Sequence, residues 1–337
     1  MSLKSRLRNS VPARWRRSFR ALRADLQLMR ELLIDWRIFR RWSGLHEQDA
    51  QPVIEARILK TYHRLEKGLA LAQPRPGFGP DAVALLLHDL DTYLDLHGPD
   101  HVTRAAINTL QAYLQFNARH DLPMAALRSR CDALAARQDG AAPHAEGGVL
   151  ALQRAQVQAL AAGGFEQVAA SRYSVRQFAP GTVSQQALEA AVRCAMKAPS
   201  VCNRQSGVVY AVRDRGLQQR LLAHQNGNRG FGDQADLVLV VGARLTSFLT
   251  VGERYQAWID GGLFAMSLLH GLHAQGLGSC CLNWSVMRGQ DRALKREAGL
   301  ADDIEIMMLV AVGHLPEQFT VAQSPRRPLA EVLHTLG

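Results

Sequence analysis

The chain has 337 residues, of which 47% are hydrophobic and 21% charged, and its formal net charge at pH 7 is +10. This is the composition of a globular protein with room for one large domain or two smaller ones. The sequence contains no apolar run long enough to span a bilayer, and its basic N-terminus lacks the apolar core and cleavage site of a signal peptide, so we expect a cytoplasmic protein.

The excess positive charge lies in an N-terminal arm, residues 1–44, which holds twelve Lys or Arg and three Asp or Glu. After Pro12, apolar residues with 3-4 spacing predict a long helix with one apolar stripe and basic residues on its other faces. The stripe is formed by Phe19, Leu22, Leu26, Met29, Leu33 and Trp36. It can pack on the body of the protein or on a partner protein, or attach the protein peripherally to an anionic membrane surface. Nothing beyond charge indicates nucleic acid binding, and we expect no nucleic acid partner.

We predict that residues 45–140 form a mostly helical region. Helical spacing of apolar residues is evident in segments 81–96 and 102–119. Gly, Ala and Pro dominate residues 138–148, which we interpret as a linker. We therefore expect three parts: the arm, the helical region and a C-terminal domain at 149–337.

The helical region contains a charged sequence, H-R-L-E-K-G at residues 63–68, followed by a Pro- and Gly-rich loop. The side chains of His63, Glu66 and Lys67 can contribute to a site for a substrate or a partner. The sequence leaves open an alternative, in which they form a solvent-exposed helix face that ends at a capping glycine, Gly68.

The C-terminal domain mixes helices and strands. Ser184 is placed to cap a helix that extends to about residue 197. Residues 258–275 predict a central helix, because they are apolar or small on nearly all sides. Strands are predicted at 207–212, 237–243 and 304–312. Since helices and strands do not alternate regularly, the sequence favours a three-layer α+β sandwich, with a mixed central sheet flanked by helices.

Two polar motifs in this domain indicate a phosphorylated cofactor with a polar ring. The first, R-Y-S-V-R at residues 172–176, combines two guanidinium groups and a hydroxyl, which suit phosphate oxygens. The second, A-P-S-V-C-N-R-Q at residues 198–205, offers hydroxyl and amide groups that can bind a planar heterocycle and its polyol chain.

Together the motifs resemble the nitroreductase-like family of FMN flavoproteins, in which an R-R-S-x-R-x-F segment is followed by A-P-S-x-x-N-x-Q. Tyr173 stands in place of the second arginine of the first motif. The resemblance extends over roughly residues 165–337 and implies a nitroreductase-like fold, with FMN as the cofactor and NAD(P)H as the electron donor. It implies FMN contacts by Arg172, Tyr173, Ser174, Arg176, Pro199, Ser200, Asn203 and Gln205.

The same resemblance implies further FMN contacts later in the domain. The backbone after the G-L-G sequence at 276–278 would run along the flavin ring, with Cys281 and Asn283 beside it. Arg326 or Arg327 would complete the clamp on the FMN phosphate, which carries about −1.5 to −2 charges. The G-L-G-S sequence is not a dinucleotide fingerprint, because it follows a helix and lacks the third glycine. We interpret it as the glycine cap of a helix that leads into a strand or loop.

Other kinds of active site find no support in the sequence. No H-E-x-x-H motif is present, and His270 and His273 of the central helix have no carboxylate or cysteine spaced to join them at a metal. We expect these histidines to have a packing role and expect no metal site. The sequence also lacks a P-loop and the G-x-S-x-G elbow of hydrolases. The five cysteines show no C-x-x-C pair and are expected to be reduced core residues.

The resemblance also implies an intertwined homodimer with FMN at the subunit interface. In the implied ping-pong reaction NAD(P)H reduces the flavin, and a small organic acceptor then takes the electrons. This chemistry needs no dedicated acid–base pair, so no catalytic residue is assigned. Gln205 is followed by Ser-Gly rather than the Pro-Trp of many members, so nitroaromatic reduction is not assumed. The polar loop at 223–231 can line the substrate site or be an ordinary surface loop.

Two other functions stay open. H-R-L-E-K-G-L and the later P-R-x-G-F-G resemble the N-terminal part of a nitroreductase-like subgroup associated with polysaccharide biosynthesis. This resemblance allows a non-catalytic flavin-fold scaffold in a polysaccharide-synthesis assembly. The remaining alternative is an enzyme that consumes FMN by fragmenting it.

Overall fold

The computed structural model describes residues 13–42, 50–138 and 147–336. Most of the linker predicted at 138–148 lies outside the described residues. The predicted arm helix is confirmed as α1, Ala13–Trp42. Its apolar stripe is exposed from Phe19 (62%) to Trp36 (54%), so the other described residues leave it largely uncovered. None of the described helices combines the length and apolarity that a bilayer-crossing segment needs.

A bundle of helices follows the arm, as predicted. Its members are α2 (Gln51–Leu69), α3 (Pro80–His97), α4 (His101–Ala118) and α5 (Ala125–Ala135). Pro80 starts α3 at a position where its missing N–H is not needed. Asp100 caps α4, because its side chain accepts from the Thr103 N–H while the Thr103 side chain accepts from the Asp100 N–H. The apolar faces of these helices meet in one core.

Gly68 does not end α2, and its predicted capping role is wrong. The helix continues to Leu69, and the residue after it, Ala70, keeps a negative φ of −86°. A Cβ added at Gly68 would lie 2.1 Å from the ring of Phe78. This ring packs edge-on against Tyr113, with 5.1 Å between the centroids. Glycine is therefore needed here because an aromatic ring of the following loop lies against the helix.

The remaining elements form the second half of the molecule. In chain order they are β1 (Val149–Gln153), α6 (Arg154–Ala161), α7 (Phe165–Ser171), α8 (Gln185–Ala195), β2 (Gly207–Val212), α9 (Arg215–Ala223), β3 (Leu237–Arg244), α10 (Gln256–Ala274), β4 (Leu277–Asn283), α11 (Arg288–Ala298), β5 (Ile304–His314) and β6 (Gln318–Ala322). The three predicted strands are confirmed as β2, β3 and β5, and the central helix as α10. The side chain of Ser184 caps α8 by accepting from the Ala187 N–H at 3.1 Å.

The main sheet has the strand order β2-β3-β5-β4, and these strands pair antiparallel. An isolated parallel bridge joins Ser174 to Ser279 outside β4, but the four strands themselves pair only antiparallel, whereas a mixed sheet was expected. Along β3, Leu239 packs with α8 and α10, whereas its neighbour Val240 packs with α9 and α11. Helices thus cover both faces, which confirms the three-layer α+β sandwich. Strands β1 and β6 form a separate antiparallel ribbon that also contacts α2.

The predicted glycine cap of α10 is confirmed. Gly276 has a φ of +71°, and its N–H donates to the carbonyl of His273 at 2.8 Å. Strand β4 begins at the next residue, so this one turn places β4 directly after the central helix.

Candidate functional site

The R-Y-S-V-R segment lies along the outer edge of β4. The Val175 N–H donates to the Ser279 carbonyl at 2.9 Å, next to the bridge formed by Ser174. The segment begins where α7 ends, at Ser171, whose hydroxyl lies 2.8 Å from Nε2 of His273. These contacts hold the segment, and with it Arg172 and Arg176, beside β4.

Both histidines of α10 contact residues of α7, in agreement with a packing role. The ring of His270 packs edge-on against Phe165 at a centroid distance of 5.3 Å. His273 is buried, and its burial, together with the charge of Arg172, lowers its pKa to about 4. In the described part of the chain, no group of three or more His, Cys, Asp or Glu residues is arranged to hold a metal ion.

Arg176 is a buried cation with an unpaired nitrogen. The residue is 6% exposed, and its Nε has no hydrogen-bond partner among the described residues. The Nε of Arg172 is buried and unpaired in the same way. Because buried polar groups are almost always hydrogen-bonded in folded proteins, two such nitrogens on one short segment are available to bind an anion.

Lys67 of α2 adds a third cation to this region. Burial lowers the pKa of Lys67, and the neighbouring charge of Arg176 lowers it further. Burial raises the pKa of the Cys280 thiol in β4. That increase is opposed, in decreasing order, by Arg176, Lys67 and Arg172. The helical bundle and the sandwich therefore both bring positive charge close to Cys280 of β4.

A cleft of about 610 Å³ lies beside Arg176, between α2 and the loop that joins α9 to β3. Its polar wall includes Lys60, Arg64, Lys67, Asn226, Arg229 and Asn283. None of the described residues that line the cleft is acidic. The volume lies within the range of about 300–1,000 Å³ that is usual for small-molecule sites.

The loop at 223–231 forms one wall of this cleft. This agrees with the interpretation that the loop lines a site rather than with that of an ordinary surface loop. The Gln225 side chain donates to the carbonyl of Asn283 at 3.2 Å, which ties the loop to the end of β4. The side chain of Asn228 donates to the carbonyl of Leu222 at 2.8 Å. The loop is thus held in place by its own amide side chains.

The A-P-S-V-C-N-R-Q motif forms a tight turn before β2. Cys202, Asn203 and Gln205 are left-handed, with φ values of 49°, 53° and 49°. Residues other than glycine adopt this conformation only at a cost, and such strain is concentrated at functional sites. The hydroxyl of Ser200 stabilises the turn by accepting from the Gln205 N–H at 2.9 Å.

Two carboxylates hold the same turn from outside. Asp260 of α10 accepts from the Val201 N–H at 3.2 Å. Glu253 receives two hydrogen bonds from the Arg204 guanidinium, at 2.5 and 3.2 Å. These bonds, with one from the Leu249 backbone, lower the pKa of Glu253 to about 2. The turn is therefore fixed at neutral pH.

The two motifs lie at opposite edges of the main sheet. The turn leads into β2, whereas the R-Y-S-V-R segment lies outside β4. Neighbouring strands are about 4.8 Å apart, so β2 and β4, which are three spacings apart, are separated by about 14 Å. The turn borders its own cavity of about 390 Å³, whose wall includes Pro199, Ser200 and Gln205. One chain therefore does not bring the two halves of the predicted FMN site together.

Three other predicted residues lie in or beside β4. Tyr173 is partly buried and packs against the core on the α9 and α11 side of the sheet. Cys281 and Asn283 lie in β4 and are exposed, and Asn283 lines the cleft. The region predicted to run beside a flavin ring thus borders the cationic cleft.

The two arginines near the C-terminus already have contacts within the chain. Arg326 donates to the carbonyl of Ser324. Arg327 forms ion pairs with Glu55 of α2 and, at 3.3 Å, with Glu331. The charge of Arg327 is therefore balanced locally, and that of Arg326 is not balanced by these contacts.

Glu66 is fully buried, so the interpretation of the H-R-L-E-K-G sequence as a solvent-exposed face is wrong for this residue. Its carboxylate accepts from the N–H and the hydroxyl of Ser324, each at 3.4 Å. Nδ1 of His63 lies 3.2 Å from the same hydroxyl. These two residues attach the C-terminal segment to α2, while Lys67 lines the cleft instead.

Three cations of the cleft were not predicted from the sequence: Lys60, Arg64 and Arg229. A signal for two of them was present, because Lys60, Arg64 and Lys67 are spaced by four and three residues and therefore share one face of α2. Arg229 gave no such signal, since only the folded structure brings its loop next to α2.

Residues 169–314 match the sequence model of the Nitroreductase family. Several solved structures are similar to this chain. A candidate nitroreductase from Desulfovibrio desulfuricans in complex with FMN is 23% identical, with a TM-score of 0.45, and the match covers 52% of this chain and 98% of that one. A candidate NADH oxidase from Clostridium acetobutylicum is 21% identical, with a TM-score of 0.42 and coverage of 50% and 97%. A Nitroreductase family protein from Streptococcus pneumoniae is 18% identical, with a TM-score of 0.44 and coverage of 51% and 100%. No curated protein matched the chain.

Proposed function

We propose that this protein is an FMN-dependent oxidoreductase that uses NAD(P)H to reduce a small organic acceptor. The observation that carries the proposal is the pair of buried, unpaired guanidinium nitrogens on one short segment: Arg176 lines the cationic cleft, and Arg172 lies four residues before it, beside a separate small cavity. The match of residues 169–314 to the Nitroreductase family supports a redox function for the same part of the chain.

The residues of this region fit a flavin mononucleotide. Its phosphate carries about −1.5 to −2 charges at pH 7, which the guanidinium groups of Arg172 and Arg176 can neutralise. The cleft of about 610 Å³ is large enough for a cofactor and has exposed polar groups of β4 at its border. When bound, FMN supplies the hydride chemistry, which the side chains themselves lack.

Each part of the chain has its own task in this proposal. The two arginines and the Ser174 hydroxyl would bind the phosphate, and the backbone at Cys281 and Asn283 would border the ring. Gln225 keeps the Asn283 carbonyl in place. Of the two arginines near the C-terminus we prefer Arg326 as the third cation, because Arg327 would have to leave two carboxylates.

We also propose that the protein is a homodimer in which the turn of one subunit completes the site of the other. The placement of the two motifs at opposite sheet edges supports this, since a single chain leaves Pro199, Ser200, Asn203 and Gln205 away from the cleft. Helix α10, which holds the turn through Asp260, also exposes a row of apolar side chains. These are Trp258, Ile259, Leu263 and Met266, each at least 40% exposed. An apolar surface of this kind is typical of a subunit interface.

The test begins with the full-length protein, purified and titrated with FMN while the quenching of flavin fluorescence is recorded. Saturable binding, followed by bleaching of the flavin absorbance when NADH or NADPH is added without oxygen, is the expected result. Restoration of the colour by an added quinone would then give the acceptor reaction.

Two other results would overturn the assignment. A protein that ignores FMN and stays colourless would support the scaffold alternative. Oxygen-dependent loss of the flavin itself, with a new small product detected by mass spectrometry, would support the flavin-fragmenting alternative.

A further inference from the structure

We propose that α2 carries a second anion subsite in the cleft, which takes the negatively charged group of the molecule that reacts there. The subsite consists of Lys60, Arg64 and Lys67 on α2 and Arg229 on the facing loop. Its role in the reaction rests on the proposed function, whereas its ability to bind an anion does not.

The geometry of α2 brings three cations to one wall. Lys60, Arg64 and Lys67 are four and three residues apart, so they lie above one another on the same helix face. All three line the cleft. Arg229 lines it from the other side, on the loop that Gln225 ties to β4. An anion in the cleft would therefore meet positive charge from two directions.

The described residues provide little negative charge to balance the subsite. Among the described residues, Arg64 has an ion pair with Asp81 at 2.8 Å, but both of these side chains are exposed and the pair is screened by water. The nearby carboxylate of Glu66 is directed to Ser324 and His63 instead. Like charges one helical turn apart destabilise a helix, so this arrangement favours an anionic ligand.

The cations exceed what a flavin phosphate requires. Arg172 and Arg176 can already balance a group of about two negative charges. The four cations of the subsite remain for another anion, and none of the other described lining residues is acidic. The ligand class is therefore an organic molecule with a phosphate, sulfonate or carboxylate group. That group can belong to the dinucleotide that donates electrons or to the acceptor.

The first measurement uses pyrophosphate as the probe and does not depend on activity. Pyrophosphate is titrated by calorimetry into the full-length protein, saturated with FMN, at low ionic strength. The double variant Lys60→Gln/Arg229→Gln changes two exposed side chains and should bind pyrophosphate about tenfold more weakly, because it loses two charge-assisted contacts. The control Arg292→Gln/Arg296→Gln removes the same charge from exposed positions of α11 and should match the wild type. Equal affinity of the Lys60/Arg229 variant and the wild type would overturn the subsite.

Steady-state kinetics then identify the source of the anion. The wild type and the variant are compared in their KM for NADPH, and in the ratio of kcat/KM between a sulfonated and an unsulfonated naphthoquinone. If the variant has a higher KM for NADPH and an unchanged quinone ratio, the subsite binds the donor. If the ratio is lower in the variant and the KM for NADPH is unchanged, the subsite binds an anionic acceptor. If neither changes although pyrophosphate binding is weaker, the role in the reaction is refuted.

Failure of the proposed function would be distinguishable from failure of the subsite. If the wild type does not bind FMN, the same pyrophosphate titration is done on the flavin-free protein. Weaker pyrophosphate binding by the Lys60/Arg229 variant would then support the anion subsite, although the FMN assignment would be refuted. Equal pyrophosphate binding by the variant and the wild type would refute both the subsite and the FMN assignment.

Discussion

Arg176 combines burial, positive charge and an unpaired nitrogen, which is an unfavourable combination in a folded protein. The nearby charge of Lys67 makes it more unfavourable. Replacing such a group by an apolar residue of similar volume is often neutral or stabilising, unless its partner is thereby left buried and alone. Among the described residues Arg176 has no ion-pair partner, and its guanidinium donates only to the Ser174 carbonyl, at 3.4 Å, so we propose that it serves a ligand rather than the fold.

We expect Arg176→Met to weaken FMN binding by about 10- to 100-fold, since a charge-assisted contact contributes about 1.5–3 kcal/mol. The stability of the flavin-free protein should stay the same or increase. Fluorescence titration gives the affinity, and urea denaturation of the flavin-free protein gives the free energy of unfolding.

The matched control is Arg57→Met in the helical bundle. Arg57 is 2.7 Å from the fully buried carboxylate of Asp89. Its removal leaves a buried charge unpaired and should cost about 3–5 kcal/mol of stability without affecting FMN affinity. Unchanged flavin affinity in Arg176→Met, or a comparable loss of stability in both variants, would refute the role given to Arg176.

His273 gives a prediction for the dependence of stability on pH. Its pKa of about 4 in the folded protein is below the ordinary value of 6.5, mainly because it is buried and also because of Arg172 and His270. As the pH falls from 6.5 to 4, the unfolded chain takes up a proton here that the folded chain does not. The free energy of unfolding therefore decreases as the pH falls through that window. Above pH 6.5 the histidine is neutral in both states, and the full stability is present.

In His273→Gln this contribution is absent, so its stability relative to the wild type should improve as the pH is lowered through the window. Urea denaturation at several pH values measures the difference. The exposed His88→Gln serves as the control and should run parallel to the wild type. A constant difference between His273→Gln and the wild type at all pH values would contradict the prediction.

The residue types of the candidate site could be predicted from the sequence, but their grouping could not. R-Y-S-V-R predicts an anion site, and in the structure the buried Nε atoms of Arg172 and Arg176 have no hydrogen-bond partner among the described residues. The spacing of Lys60 and Lys67 places them on one face of α2, but local spacing does not reveal that this face meets the cleft beside Arg176, or that Arg327 is paired with Glu55. These contacts join positions far apart along the chain, and local spacing contains no information about them.

At the scale of elements, the prediction succeeded where the pattern was long or uniformly apolar. Helices α3, α4 and α10 and the buried strands β3 and β5 have such patterns. The ribbon of β1 and β6 was missed because each strand has only five residues and their pairing joins positions about 170 residues apart, from Val149 with Ala322 to Gln153 with Gln318. Helices α9 and α11 were missed as well. Both helices are short and rich in polar residues, so their sequences resemble loops. Their few apolar residues face the sheet, which only the folded structure shows.

The wrong assignment of Gly68 leads to a prediction about the end of α2. In an open helix position Gly→Ala stabilises a protein by up to about 1 kcal/mol, because alanine has the higher helix propensity. At Gly68 a methyl group would meet the ring of Phe78, and overpacking of this kind costs about 1–3 kcal/mol. The second effect is larger, so Gly68→Ala should be destabilising.

Gly289 is the matched control, because it lies in α11 and an added Cβ would meet nothing within 4 Å. Gly289→Ala should be neutral or slightly stabilising. Urea denaturation of both variants and the wild type gives the free energies of unfolding to be compared. If Gly68→Ala were as stable as Gly289→Ala, the close approach of Phe78 would not explain the glycine.

At the scale of the whole molecule, two apolar surfaces of the described chain are exposed to solvent. The apolar stripe of α1 is exposed, and so is the apolar row on α10 that ends near the turn before β2. The R-Y-S-V-R segment and the turn are at opposite edges of one sheet. In the homodimer that we propose, a second copy of the chain covers α10 and hides the apolar row, and its turn completes the site at the cleft.

Such a shared site predicts that two defective variants restore each other. Arg176→Met damages the cationic half, and Asn203→Gly/Gln205→Gly damages the turn. Glycine adopts the left-handed φ of these two positions without strain, so the second variant loses amide groups but keeps its backbone. Each variant alone should bind little FMN.

The two variants are co-expressed with different affinity tags, and the mixed dimer is isolated by two successive purifications. In the mixed dimer one site combines the intact arginine segment of one subunit with the intact turn of the other, while the second site has both defects. The mixed dimer should therefore regain about half of the wild-type FMN content, measured by flavin absorbance per protein. If each site were built from one chain, both sites of the mixed dimer would keep a defect and no FMN would be regained, because exchange of subunits cannot repair a site that lies within one of them.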